Sequence, residues 1–133
     1  MMHWAFEYLG RPWIAKVHEC GHFFVDVQRE RFGVVSQVID ADSLSVLSCV
    51  RALSGHHPEL LNWVEVEVPE EGDAVQMSHS KHPHHIGVWV DVDGGGVLHC
   101  VEGPGVVFST RKSLKAHGWN IVSIKRHRSR AHG

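Results

Sequence analysis

The 133-residue chain has no apolar run near the roughly 20 residues that a membrane-crossing helix requires. Its start, MMHWAFEYLGRPW, lacks a basic stretch followed by an apolar one, so the expectation is a protein made without a secretory signal. Cysteine is scarce: three residues, an odd number with no CxxC pair, do not make a disulfide framework. The thiols are therefore read as reduced, and any special cysteine as present for its reactivity. Acid is missing from residues 111–133, which hold seven bases, whereas residues 1–110 hold all 15 acids and six bases. A basic end of that kind suits an acidic partner or a polyanion. Nucleic acid is nevertheless unlikely on this reading, because Trp119 is its sole stacking aromatic and no binding motif is recognisable. Repeats, linkers and low-complexity stretches are absent outside the histidine-rich turn 79–85.

What is present is one core's worth of apolar residues, 43% of the chain, and 13 histidines. Residues 3–9 suggest a short helix entering a turn at Gly10-Arg11-Pro12. From Val17 to Phe32, Cys20, Phe23, Phe24 and Val27 recur at helical spacing, and Gly33 supplies a stop, so the pattern predicts a helix with Cys20 in its first turn. Asp40, Asp42 and Ser43 offer caps for a second helix reaching Leu53. Beyond residue 60 the period becomes alternating. Strands are expected over 63–68, 73–77, 85–90 and 97–101, a turn or short helix over 108–115, and a last strand over 121–124. Helices followed by an antiparallel sheet define an α+β domain, assigned to residues 1–124, with 125–133 set apart as a basic tail.

A cysteine in the first turn of a helix meets unpaired backbone N–H groups and the positive end of the helix dipole, and both favour thiolate. A histidine on a neighbouring strand can then act as base, and a third group can orient it. His85 and His99, on successive strands of one predicted hairpin, fit those roles. Register decides whether they meet. A tight turn at Gly94-Gly95 would put them on opposite faces, whereas a five-residue loop from Asp91 to Gly95 pairs Val90 with Gly96 and Gly87 with His99. The wider loop is the expectation. Cys49 and Cys100 look structural, Cys100 pointing away from His99 on its strand. The cluster His79, His82, His84 and His85 is read as a polar turn lining a cleft rather than as a metal site. Trp89, on the same strand face as His85, is expected to line that cleft.

Five segments in order carry a resemblance. They are Leu9-Gly10-Arg11-Pro12-Trp13, His18-Glu19-Cys20-Gly21, Glu71-Gly72-Asp73-Ala74-Val75, His85-Ile86-Gly87-Val88-Trp89-Val90 and Val97-Leu98-His99-Cys100. Over about residues 6–108 they resemble the NlpC/P60 cysteine peptidases, whose segments read like G-x-P-Y, D-C-S-G, P-G-D-L-V, H-V-G-I-Y-L and M-I-H-A. The resemblance implies a papain-like fold, a cysteine-bearing helix packed on an antiparallel sheet. It also implies Cys20 as nucleophile, His85 as base and His99 as orienting residue, with no cofactor and no metal. Trp13, Glu19, Gly21 and Trp89 are the corresponding cleft or oxyanion candidates. The chain departs from the pattern in losing the serine after Cys20 and in carrying Trp13 where the family has tyrosine.

The implied substrate is the peptide stem of peptidoglycan. The lack of a readable signal or wall-binding repeat suggests a phage tail-associated enzyme, with other tail proteins as partners and the virion as its place. Two other readings stand beside it. In one, Cys20, His85 and His99 are three ligands of a zinc-dependent hydrolase with an open fourth position. In the other, the chain is a structural tail protein that keeps the peptidase fold with little activity.

Overall fold

The computed structural model describes residues 2–36, 62–79 and 85–131. The expected second helix, Cys49 and most of the histidine-rich turn lie outside them.

A 3-10 helix, Trp4–Tyr8, precedes a tight turn in which Ile14 and His18 exchange backbone hydrogen bonds of 2.9 and 2.8 Å. Helix α1 then runs Cys20–Phe32. It starts later than the apolar spacing suggests, because Glu19 is the N-cap and closes a reciprocal capping box with His22. Gly33, in the left-handed conformation, ends it. Six strands follow: β1 Trp63–Val66, β2 Ala74–Ser78, β3 His85–Val90, β4 Gly96–Val101, β5 Gly105–Thr110 and β6 Asn120–His127. A short helix α2, Arg111–Ala116, joins β5 to β6 and is capped by the Thr110 hydroxyl. The strands form one antiparallel sheet in the order β1-β6-β2-β3-β4-β5. The α+β expectation therefore holds, with two α-helices among the described residues.

Two apolar clusters divide the sheet's faces. Phe23, Phe24 and Val27 of α1 pack with Ile86, Val88, Val90, Leu98 and Cys100. On the other side Val75, Met77, Trp89, Val97 and Leu114 pack together, with Trp119 and Ile121 at the margin. Period-two alternation explains the division: neighbours on β3 and β4 face opposite layers.

The β3–β4 connection is the wider loop. Val90 pairs with Gly96, Trp89 with Val97 and Val88 with Leu98. Asp93, Gly94 and Gly95 all take positive φ in that loop. Continuing the register sets Gly87 across from His99, where a Cβ on Gly87 would lie 2.9 Å from that of His99 and 2.4 Å from Val97 Cγ1.

Two parts of the sheet were not foreseen. Strand β5 follows Gly103-Pro104-Gly105, a run that reads as loop. Its outer edge is covered by the N-terminal segment, with Val106 N–H donating to the Arg11 carbonyl (2.9 Å) and Gly10 N–H to the Val106 carbonyl (3.0 Å). Gly105 has φ +80°, and a Cβ there would sit 2.2 Å from the Arg11 carbonyl oxygen.

The second concerns the basic end. The boundary at residue 125 does not hold, because β6 continues to His127 and lies between β1 and β2. Lys125 pairs in register with both Glu65 and Ala74. Arg126 grips the fully buried Asp73 carboxylate through Nε (2.9 Å) and Nη2 (2.7 Å), and Arg130 reaches the Glu71 carbonyl. These bases are tied to acids and carbonyls some 50 residues earlier, which no local pattern reveals.

Candidate functional site

Cys20 is the first residue of α1 and is half-buried against the cluster under that helix. Its surroundings are set by Glu19, only 7% exposed, whose carboxylate accepts from Lys16 N–H at 2.8 Å while capping the helix. The arrangement fixes the turn that delivers Cys20. Gly21 is the second residue of the helix, and Trp13 is half-buried against the same cluster.

His85 opens β3 and His99 lies on β4, both buried. Their rings share one face of the sheet, and His85 Nε2 is 2.9 Å from His99 Nδ1. The other nitrogen of His99, Nε2, is 3.0 Å from the Ser109 hydroxyl on β5. Burial holds His99 well below the ordinary imidazole range, at about 4, so its ring is neutral at physiological pH. One of its nitrogens therefore carries a proton and the other a lone pair.

Two aromatic rings complete this side. Trp119 stacks on His85 at 4.7 Å between centroids, and His79 stacks on Trp119 at 3.7 Å. His79 Nδ1 also meets the Gly118 carbonyl at 2.8 Å. Trp119 is fixed by its own N–H to the Leu114 carbonyl, so α2 aims the indole at His85.

Neither of the two bonds in the His85–His99–Ser109 chain involves Cys20. The thiol's helix packs on the opposite face of the strands that carry the histidines. Cys100 Sγ lies 3.7 Å from the carbonyl oxygen of His18, two residues before Cys20. The β3–β4 register, continued, sets Cys100 across from Ile86, the neighbour of His85. Cys100 itself is a core thiol, pushed up to about 11 by burial.

The structure corrects one cleft assignment. Trp89 does share a strand face with His85, but it is 4% exposed and belongs to the second core cluster. Its Nε1 donates to Asp91 (2.9 Å), Arg111 covers its ring at 5.0 Å, and a Cβ on Gly95 would lie 2.4 Å from it. Alternation gives a side, and packing decides whether that side is open. Among the described residues, no three His, Cys, Asp or Glu side chains converge to hold a metal ion, so Cys20, His85 and His99 are not placed as a zinc set.

Ser109 and Trp119 were missed by the sequence reading. Ser109 sits on the unforeseen β5. Trp119 lies 34 residues from His85, between the expected turn or short helix over 108–115 and the expected last strand, and no short-range signal links them.

The fold and site together define a small α+β protein with a buried, hydrogen-bonded histidine pair at the mouth of an antiparallel sheet and a cysteine at a helix N-terminus. No family model matches the chain, and no curated protein matches it. Among the described residues no helix is long and apolar enough to cross a membrane.

Proposed function

We propose that the protein is a cysteine peptidase or amidase of the NlpC/P60 type that cleaves peptide bonds in the stem peptides of peptidoglycan, as a phage tail component. The observation that carries the catalytic part is the 2.9 Å bond between His85 and His99. It gives His85 the orienting ring partner that a base in such a triad needs. The substrate and the setting rest on the motif resemblance.

In this mechanism the Cys20 proton passes to His85 Nδ1, and the thiolate adds to the carbonyl carbon of the scissile amide. Backbone N–H groups at the start of α1 stabilise the oxyanion. The imidazolium then protonates the leaving nitrogen as the C–N bond breaks, leaving a thioester on Cys20. Water, deprotonated by His85, adds to the thioester, and the thiol is released with its proton restored. While His85 is cationic, its Nε2–H donates to the neutral His99, so the pair avoids two adjacent positive charges.

His85 and the core of α1 face opposite sides of β3, so the thiol reaches the ring around the end of the strand. A crystal structure with Cys20 Sγ farther than about 6 Å from His85 Nδ1, beyond direct or one-water reach, removes the mechanism. The functional test is incubation with purified peptidoglycan and mass analysis of the fragments. Wild type is expected to release stem-peptide fragments and Cys20→Ala none; equal release by both overturns the reading.

A further inference from the structure

We propose that His3 is a proton-operated cap: its neutral ring holds the first turn of the N-terminal 3-10 helix closed, and uptake of a second ring proton opens that turn. The device is independent of the peptidase reading.

Both ring nitrogens of His3 are engaged by partners that leave no choice of direction. Nδ1 accepts from the Ala5 backbone N–H at 3.0 Å, and a backbone amide can only donate. Nε2 lies 2.6 Å from Glu71 Oε1, and an ionised carboxylate can only accept. Burial pushes Glu71 up, but the bonds from His3 and from the Asp91 N–H outweigh burial and hold it below the ordinary carboxylate range. It is therefore ionised where imidazoles change charge. The ring that satisfies both contacts is neutral, with its one proton on Nε2.

A second proton can enter only at Nδ1. It turns the acceptor into a donor that faces another donor 3.0 Å away, so the cap and the imidazolium exclude each other. Glu71 pulls in the opposite sense, because its charge favours the cation. Where the cation wins, the Ala5 N–H loses its acceptor. Ala5 is 4% exposed, and a buried N–H without a partner is costly, so the turn must open to water. Other groups around the ring are already committed. The Trp4 ring, tilted against His3 at 5.1 Å, is neutral and donates to Glu71 Oε2 at 3.4 Å. Asp91 turns its carboxylate to Trp89 Nε1, Arg130 holds the Glu71 carbonyl, and Arg31 lies over the Trp4 ring while paired with Glu7.

The opening stops at the first turn, because the rest of the segment is fastened separately. Tyr8 donates to Glu30 at 2.6 Å, and Gly10 and Arg11 are bonded to Val106 on β5. The Val106 amide thus serves as the internal control for the Ala5 amide.

The test uses the full chain with 15N-labelled histidine, and amide hydrogen exchange from about pH 8 to 5. Neutral His3 is expected to carry its proton on Nε2. As His3 gains its second proton, the protection factor of the Ala5 amide should fall at least about tenfold while that of Val106 holds. His3→Asn, whose side-chain oxygen caps without titrating, should keep Ala5 protected throughout. Glu71→Gln, which keeps an acceptor for Nε2–H but removes the charge, should move the Ala5 loss to lower pH. A neutral His3 protonated on Nδ1, an Ala5 amide that does not follow the His3 titration, or equal loss at Ala5 and Val106 overturns the proposal. All three readings need only wild type, so a poorly folding variant does not leave the matter open. No substrate enters these measurements, and their failure is distinct from a failure to cleave peptidoglycan.

Discussion

His99 and Cys100 are consecutive on β4, both essentially without exposure, and they face opposite sides of the sheet. Burial drives each toward its neutral form, His99 down to about 4 and Cys100 up to about 11. On the α1 side Cys100 packs among Ile86, Val88 and Leu98, its thiol meeting only His18 at 3.7–3.8 Å. On the other side the neutral ring is held between two polar partners, His85 and Ser109. Desolvation thus neutralises both groups, but only the imidazole is held by a close polar partner at each of its ring nitrogens.

The strongest way to break the contrast is to remove the strand that supports both sides. Truncation after Ile124 deletes three of the four β1–β6 register pairs and the Arg126 clasp on Asp73. It should abolish cooperative unfolding altogether. The milder Arg126→Ala, which leaves the buried Asp73 carboxylate only the Glu70 N–H and Arg130, should cost about 1.5–3 kcal/mol by urea denaturation. A soluble, cooperatively folded product of the truncation would restore the view of residues 125–133 as a detachable tail.

The next largest effect concerns His99. Its folded-state pKa lies below its ordinary 6.5, so between about 6.5 and 4 the unfolded chain binds more protons than the native one. The stability gained by keeping His99 neutral is present above 6.5 and is lost as pH falls toward 4. A shift of that size corresponds to at most about 3 kcal/mol. His99→Gln should flatten the pH profile of unfolding free energy in that window, while Cys100→Ala should leave its shape unchanged.

A smaller effect is expected at the seam between the sides. Gly87→Ala would drive its Cβ into Val97 and His99, at a cost of about 1–3 kcal/mol. Because His99 is among the groups displaced, the variant should also shift the imidazole NMR signals of His85 and His99, which a packing defect elsewhere would leave in place. Smallest of all, Cys20 should alkylate at least about tenfold faster than Cys100 near pH 7, read by peptide mapping. Equal rates in the folded protein would contradict the proposed division of labour between the thiols.

Much of this arrangement is legible in the sequence, and the reasons for the rest are physical. Helix α1 and strands β3 and β4 show through because apolar spacing is a local signal, and Asp93-Gly94-Gly95 announces a loop that accepts positive φ. Pairing His85 with His99 then follows from counting residues across that loop. Strand β5 is hidden by Gly103-Pro104-Gly105, whose local preference is a turn, although the following Val106 is paired on both edges. The last strand is hidden for a different reason. Lys125 and Arg126 look like solvent-seeking charges until Asp73, far away in sequence, supplies a buried partner. Trp89 shows the converse failure: its side of the sheet is readable, but Arg111 closes it off from a distance of 22 residues.

The strand order also has a consequence for how the protein is made. Strand β6 is seated between β1 and β2, so until residues 120–127 have been synthesised β1 has no neighbouring strand among the described residues and β2 lacks its partner on that edge. A nascent chain carrying α1 and β2–β5 can bury its first core but cannot seal its sheet, and unsealed edges invite pairing with other chains. Closure waits on contacts across some 60 residues, which makes it the slow step and the one most exposed to aggregation. Slowed translation or lowered temperature during production should therefore favour soluble protein chiefly by giving the final strand time to find its slot.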